Sequence, residues 1–132
     1  MLKVYAKNLE KVTILFLQGE IVTGETEILR NVMQSVSETR AVILDLARVS
    51  RIDARGLGVM LELRERTQAS GIRFELMNIS KPLSSILEMT HLDSVFQITS
   101  ENEFLRAISR RRGVSRLPRV RRRSIAALKS CA

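Results

Sequence analysis

One cysteine, Cys131, in a chain of 132 residues leaves no partner for an internal disulfide, so nothing here asks for an oxidising compartment. Tryptophan is absent and aromatic residues make up only 4% of the chain, too few to build stacking platforms for nucleic-acid bases. The single histidine, His91, has no second histidine and no cysteine near it in sequence, which argues against a metal site. No apolar run approaches the roughly 18 residues that a membrane-spanning helix needs. The N-terminal MLKVYAKNLE has no apolar core of the kind that a secretory signal carries. We therefore expect a cytoplasmic protein with no cofactor.

What is present is an ordinary globular composition, 45% apolar and 27% charged, at a length suited to one domain. The net charge of +8 is unevenly placed. Residues 1–108 hold thirteen of the 22 basic residues and all 14 acids, so this part is close to neutral. Residues 109–132 hold the other nine basic residues and no acid. This shift is the clearest boundary in the chain. It divides a domain at 1–108 from an Arg-rich C-terminal tail at 109–132. Like charges repel and little there can be buried, so we expect the tail to be disordered.

The pattern along residues 1–108 alternates between strand and helix. KVTILFLQ at 11–18 is a short run, apolar on both faces, that suits a buried strand, with Gly19 breaking it. Thr23 then stands as an N-cap, with Glu25 and Glu27 in the first turn, where a helix dipole favours acids. Ile28, Val32 and Val36, with Leu29 and Met33 beside them, form the inner stripe of that helix. AVILDL at 41–46 is a second buried strand, followed by the loop RVSRIDARG and the helix opened by LGVMLEL. Gly71 is a natural helix stop. Ile72, Phe74 and Leu76 then alternate with Arg73 and Glu75, the period of a strand with one wetter face. Ser80 and Pro82 start a helix with Leu83, Ile86, Leu87 and Thr90 inside. VFQI at 95–98 is a short strand, and Ser100 with Glu103 forms a capping box. With a further strand at 2–6, this order argues for helices packed on a mixed or parallel sheet.

Nothing in the pattern supports catalysis. No nucleophile–base set stands with its supporting motif. Asp53 and Glu62 make a poor acid–base pair because Glu62 falls among exposed helix positions. Gly19-Glu20 and Gly56-Leu57-Gly58 fit neither a phosphate loop nor a dinucleotide fingerprint. The methionines sit in apolar stripes as core filler.

One segment is more specific. Arg51-Ile52-Asp53-Ala54-Arg55-Gly56-Leu57-Gly58-Val59-Met60 resembles the signature loop of STAS domains, roughly apolar-D-S-S-G-L-G-apolar. Leu17-Gln18-Gly19-Glu20-Ile21 is similar to the L-x-G-E-L segment of that family. Gly71-Ile72-Arg73-Phe74-Glu75-Leu76 is similar to its G-x-x-L-x-L strand. The resemblance implies an α/β fold with a mixed sheet of four to five strands covered by about four helices. It also implies a non-enzymatic antagonist of anti-sigma factors, whose partner is an anti-sigma factor of the serine-kinase (GHKL) type. The partner-binding residues carried over are Asp53, Ala54, Arg55, Gly56, Leu57, Gly58 and Leu61. In the family the residue after the Asp is a Ser or Thr that the kinase phosphorylates, and the added charge abolishes binding. Here that position is Ala54, which has no hydroxyl, so the expected state is that of the unmodified antagonist.

Asp53 has two readings, positioning a partner kinase or capping the following helix. Arg55 has two as well, pairing with an acidic partner surface or standing solvated. The Arg-rich tail could contact nucleic-acid phosphates, lie on an anionic membrane, or have no partner. Three functions stay open: the antagonist, an accessory subunit on the ATPase of an ABC transporter or a signalling scaffold, and a nucleic-acid binder that works through its tail. A homodimer through the apolar faces is a further expectation.

Overall fold

The structure is a computed structural model that describes residues 1–36 and 38–111. Its elements follow the order β1 (Lys3–Leu9), β2 (Val12–Ile21), α1 (Glu27–Ser35), β3 (Ala41–Ile52), α2 (Ala54–Ala69), β4 (Arg73–Met77), α3 (Lys81–Met89), β5 (Gln97–Thr99) and α4 (Glu101–Arg111). The sheet has the strand order β1-β2-β3-β4-β5. β1 runs antiparallel to β2, and the other three pairings are parallel. This is the mixed sheet with four helices that the resemblance implied, where the alternation alone left a mixed or a parallel sheet open. α4 continues three residues into the Arg-rich tail expected at 109–132, and residues 112–132 lie outside the described residues.

β1 and β2 are joined by Glu10 and Lys11, both at positive φ (52° and 68°). That is the geometry of the tight hairpin turn whose twist matches the flanking strands. Neither residue is glycine, so the turn carries some strain.

Alternate residues of the buried strands face opposite layers. Leu15, Leu17, Val42, Leu44, Leu46, Phe74 and Leu76 point to one side, against Leu29 of α1, Leu57, Met60 and Leu63 of α2, and Leu83 and Leu87 of α3. Val12, Ile14, Phe16, Ala41, Ile43 and Met77 point to the other, against Phe104 and Leu105 of α4. The central strands are covered on both sides, which explains their near-continuous apolar runs.

Several boundaries differ from expectation for identifiable reasons. β2 does not stop at Gly19. The strand passes through it to Ile21, with shifts of register against β3 on either side of the Gln18–Gly19 step. Gly19 sits at φ +121°, where a Cβ would come within 2.5 Å of the Met1 carbonyl oxygen, so glycine permits a close crossing there. β3 likewise continues to Ile52 through residues expected to be loop. α1 starts later than expected, with Thr26 rather than Thr23 at its N-cap. Its buried residue is Leu29, whereas Ile28 is 39% exposed. The face of β4 bearing Glu75 is not wet: α4 covers it, Glu75 is only 7% exposed, and its carboxylate pairs with Arg73. Thr90 is exposed as the C-cap of α3 rather than buried in its stripe.

Two expected caps are in place. The Ser80 hydroxyl accepts from the Leu83 N–H at 3.4 Å, and the Ser100 hydroxyl accepts from the Glu103 N–H at 3.1 Å. No helix among the described residues is long and apolar enough to cross a membrane.

Candidate functional site at the head of α2

β3 ends at Ile52 and α2 begins at Ala54, so one residue, Asp53, makes the turn. Its backbone is extended and its side chain closes the helix start. Oδ1 accepts from the Gly56 N–H at 2.8 Å. Oδ2 accepts from both the N–H and the hydroxyl of Thr23, at 2.9 and 3.0 Å. The Asp53 N–H in turn donates to the Ile21 carbonyl at 3.3 Å. One carboxylate thus caps α2 and pins the β2–α1 loop beside it. The backbone N–H of Thr23, then that of Gly56, hold the Asp53 carboxyl below its usual range, because each donates to the charged form. The capping reading of Asp53 is what the geometry displays. Thr23, expected to cap α1, serves this network instead.

The two glycines of the motif differ in their surroundings. A Cβ on Gly56 would lie 1.9 Å from the Ile21 carbonyl oxygen, so only glycine lets the first turn of α2 rest against the end of β2. A Cβ on Gly58 would meet nothing within 4 Å. Gly58 is exposed, as are Ala54 and Arg55. Leu57 is 7% exposed and belongs to the core, and Leu61 is half-buried against the same core. Of the seven expected partner-binding residues, the surface therefore carries Ala54, Arg55 and Gly58, with Asp53 and Leu61 partly accessible.

Thr23, Arg30, Asp53, Ala54, Arg55, Gly58 and Val59 line a shallow depression of about 640 Å³. Arg30 enters it from α1 and is already engaged. Its Nε and Nη2 donate to the two Glu62 oxygens at 3.3 and 3.2 Å, and its Nη1 donates to Glu27 at 3.1 Å. These bonds, Glu62 first, raise the Arg30 pKa, and the same Arg30 contact lowers that of Glu62. Glu62, read from sequence as an exposed helix residue, is half-buried and bridges α1 to α2. Arg55 enters none of the ion pairs found among the described residues. Thr23 and Arg30 were not legible as neighbours of the loop. Thr23 lies thirty positions from Asp53 in sequence, and only the β2–β3 pairing brings them together.

Residues 3–104 match the STAS domain, and the chain belongs to that family. Among solved structures, Mglu is 31% identical with a TM-score of 0.55 over 60% of this chain, and the match spans only 20% of the Mglu chain. A sulfate transporter family protein from Wolinella succinogenes is 25% identical with a TM-score of 0.63, over 70% of this chain and 80% of that one. The anti-sigma factor antagonist SpoIIAA, in its unphosphorylated form, is 21% identical with a TM-score of 0.67, over 86% of this chain and all of its own. At that identity the likeness to SpoIIAA is one of fold.

Proposed function

We infer that this chain is a non-catalytic regulatory module that binds an anti-sigma factor of the GHKL serine-kinase type through the head of α2. The observation that carries the reading is the exposure of Ala54 and Arg55 beside a fully engaged Asp53. The side chain that the family offers for phosphorylation is here a methyl group, so the loop keeps one charge state. Gly56 and Leu57 hold the loop in place from within, while Ala54, Arg55, Gly58 and Leu61 make the contact. Arg55 meets an acidic group of the partner, and bare backbone at Gly58 allows close approach.

Calorimetric titration of the full chain with the serine-kinase anti-sigma factor from the same genome tests this. Binding that Arg55→Glu weakens about tenfold or more, with no phosphate acquired in residues 50–56 when ATP is present, is the expected result. Unchanged affinity in the variant removes Arg55 from the interface. Stoichiometric phosphorylation within 50–56 overturns the fixed charge state.

Ala54 favours a second reading equally. A STAS domain without an acceptor fits a permanent subunit of a larger machine, such as the ATPase of an ABC transporter or a signalling scaffold. The 25% identity to a sulfate transporter family protein supports a transporter setting for such a domain and is silent on an ATPase. Co-purification of a transporter ATPase in place of the kinase would select it.

A further inference from the structure

A second concave surface lies at the opposite end of α2, about 24 Å along a helix of sixteen residues from the Asp53 turn. It is a groove of about 420 Å³ between the last turns of α1 and α2, within the range of small-molecule sites. Val42 and Leu63, both fully buried, lie beneath it, and Met33, Val36 and Ile72, each partly accessible, give it its apolar surface.

The lining is mainly hydrocarbon, and its polar groups are few. The Thr67 hydroxyl already donates within its own helix, to Leu63 and Arg64 carbonyls at 3.0 and 2.9 Å. Gln34 and Ser70 are neutral. Arg66 is the single cation of the lining. Its side chain is 57% exposed, and its ion pair is a long one, 3.9 Å to a Glu62 that Arg30 already grips with two bonds.

The groove also explains a feature of α1. Leu29 is the residue of that helix with full burial, while Val32, Met33 and Val36 pack only partly against the core. The second half of α1 therefore leaves apolar surface partly accessible along the groove.

An aliphatic slot with one guanidinium at its mouth is complementary to one kind of molecule. We propose that this groove binds an amphiphile with a single carboxylate, of the fatty-acid class, its chain against Met33, Val36 and Ile72 and its head on Arg66. The site is independent of the partner-binding reading, because it shares no residue with the Asp53 loop.

The test is an amide-resolved NMR titration of the full chain with decanoate, and with decan-1-ol as an uncharged chain of equal length. Saturable shifts confined to residues 33–36 and 63–72 are expected for both. Arg66→Ala should weaken decanoate about tenfold and leave decanol unchanged, and Ala69→Phe, which fills the slot from its rim, should abolish both. Ser70→Phe replaces Ala69→Phe if the latter fails to give a folded spectrum. No saturable shift up to about 1 mM, shifts centred elsewhere, or equal weakening of acid and alcohol by Arg66→Ala each overturn the proposal.

Discussion

Two glycines separated by a single residue should respond to alanine in opposite directions. At Gly56 an added methyl would sit 1.9 Å from the Ile21 oxygen and 2.8 Å from its carbonyl carbon. Both are backbone atoms of a strand paired with β3, so no side-chain rotation relieves the clash. The first turn of α2 must lift, and overpacking of this kind costs about 1–3 kcal/mol. Lifting also draws the Gly56 N–H away from Asp53 Oδ1. At Gly58 the methyl enters open space inside a helix, where alanine is favoured over glycine by about 0.5–1 kcal/mol. Gly56→Ala should therefore fall below the parent chain and Gly58→Ala rise above it, a spread of about 1.5–4 kcal/mol. Urea unfolding followed by circular dichroism at 25 °C reads the difference as a change of midpoint. Equal stability of Gly56→Ala and the parent, or destabilisation by Gly58→Ala, would refute the reasoning. If Gly58 is kept bare for a partner, Gly58→Ala should also bind the anti-sigma factor less well while being the more stable protein.

Other consequences follow from the same contacts. Leu29→Ala should cost about 2–4 kcal/mol, whereas Ile28→Ala should change stability by less than about 0.5 kcal/mol, and the same urea titration separates them. Asp53 has a lowered carboxyl pKa in the folded state, so its contribution is present above the unfolded value near pH 3.9 and is lost as pH falls through the lower folded value. Asp53→Asn should accordingly flatten the acid limb of the stability–pH curve, and an unchanged limb would show that the Thr23 and Gly56 contacts do not persist in solution. Arg30→Ala should loosen α1 by a small amount that shrinks at high salt, because its bonds to Glu62 and Glu27 are partly exposed; hydrogen exchange across residues 27–35 reports it. Ala54→Asp should mimic the charge of the modified family loop and weaken partner binding.

The order of elements was legible because the apolar runs of β2 and β3, the alternation in β4 and the stripe of α3 are clear signals. The second half of β3 was not, and the register explains why. Against β2, β3 holds an extra residue between Asp45 and Arg48 and another between Val49 and Arg51. Each addition breaks the alternation, so the buried residues Leu46, Val49 and Ile52 fall every third position and imitate a loop. The burial of Glu75 was hidden for another reason. Its covering helix, α4, comes from a distant segment, and charge alone indicated solvent. At the site, the role of Asp53 as a cap was readable from its place before Gly56. Its bond to Thr23 was not, since it depends on how far β2 extends. Leu57 was expected in the contact set but is buried, because the motif that carried it there says nothing about which side chains face inward.

The central claim is that the head of α2 is a docking surface with a fixed charge state. The most direct measurement is amide shift mapping of the full chain as the serine-kinase anti-sigma factor is added with ATP. The account predicts saturable changes centred on Ala54, Arg55, Gly58 and Leu61, with no phosphate on residues 50–56. Changes centred on another face, or no binding at all, would contradict it.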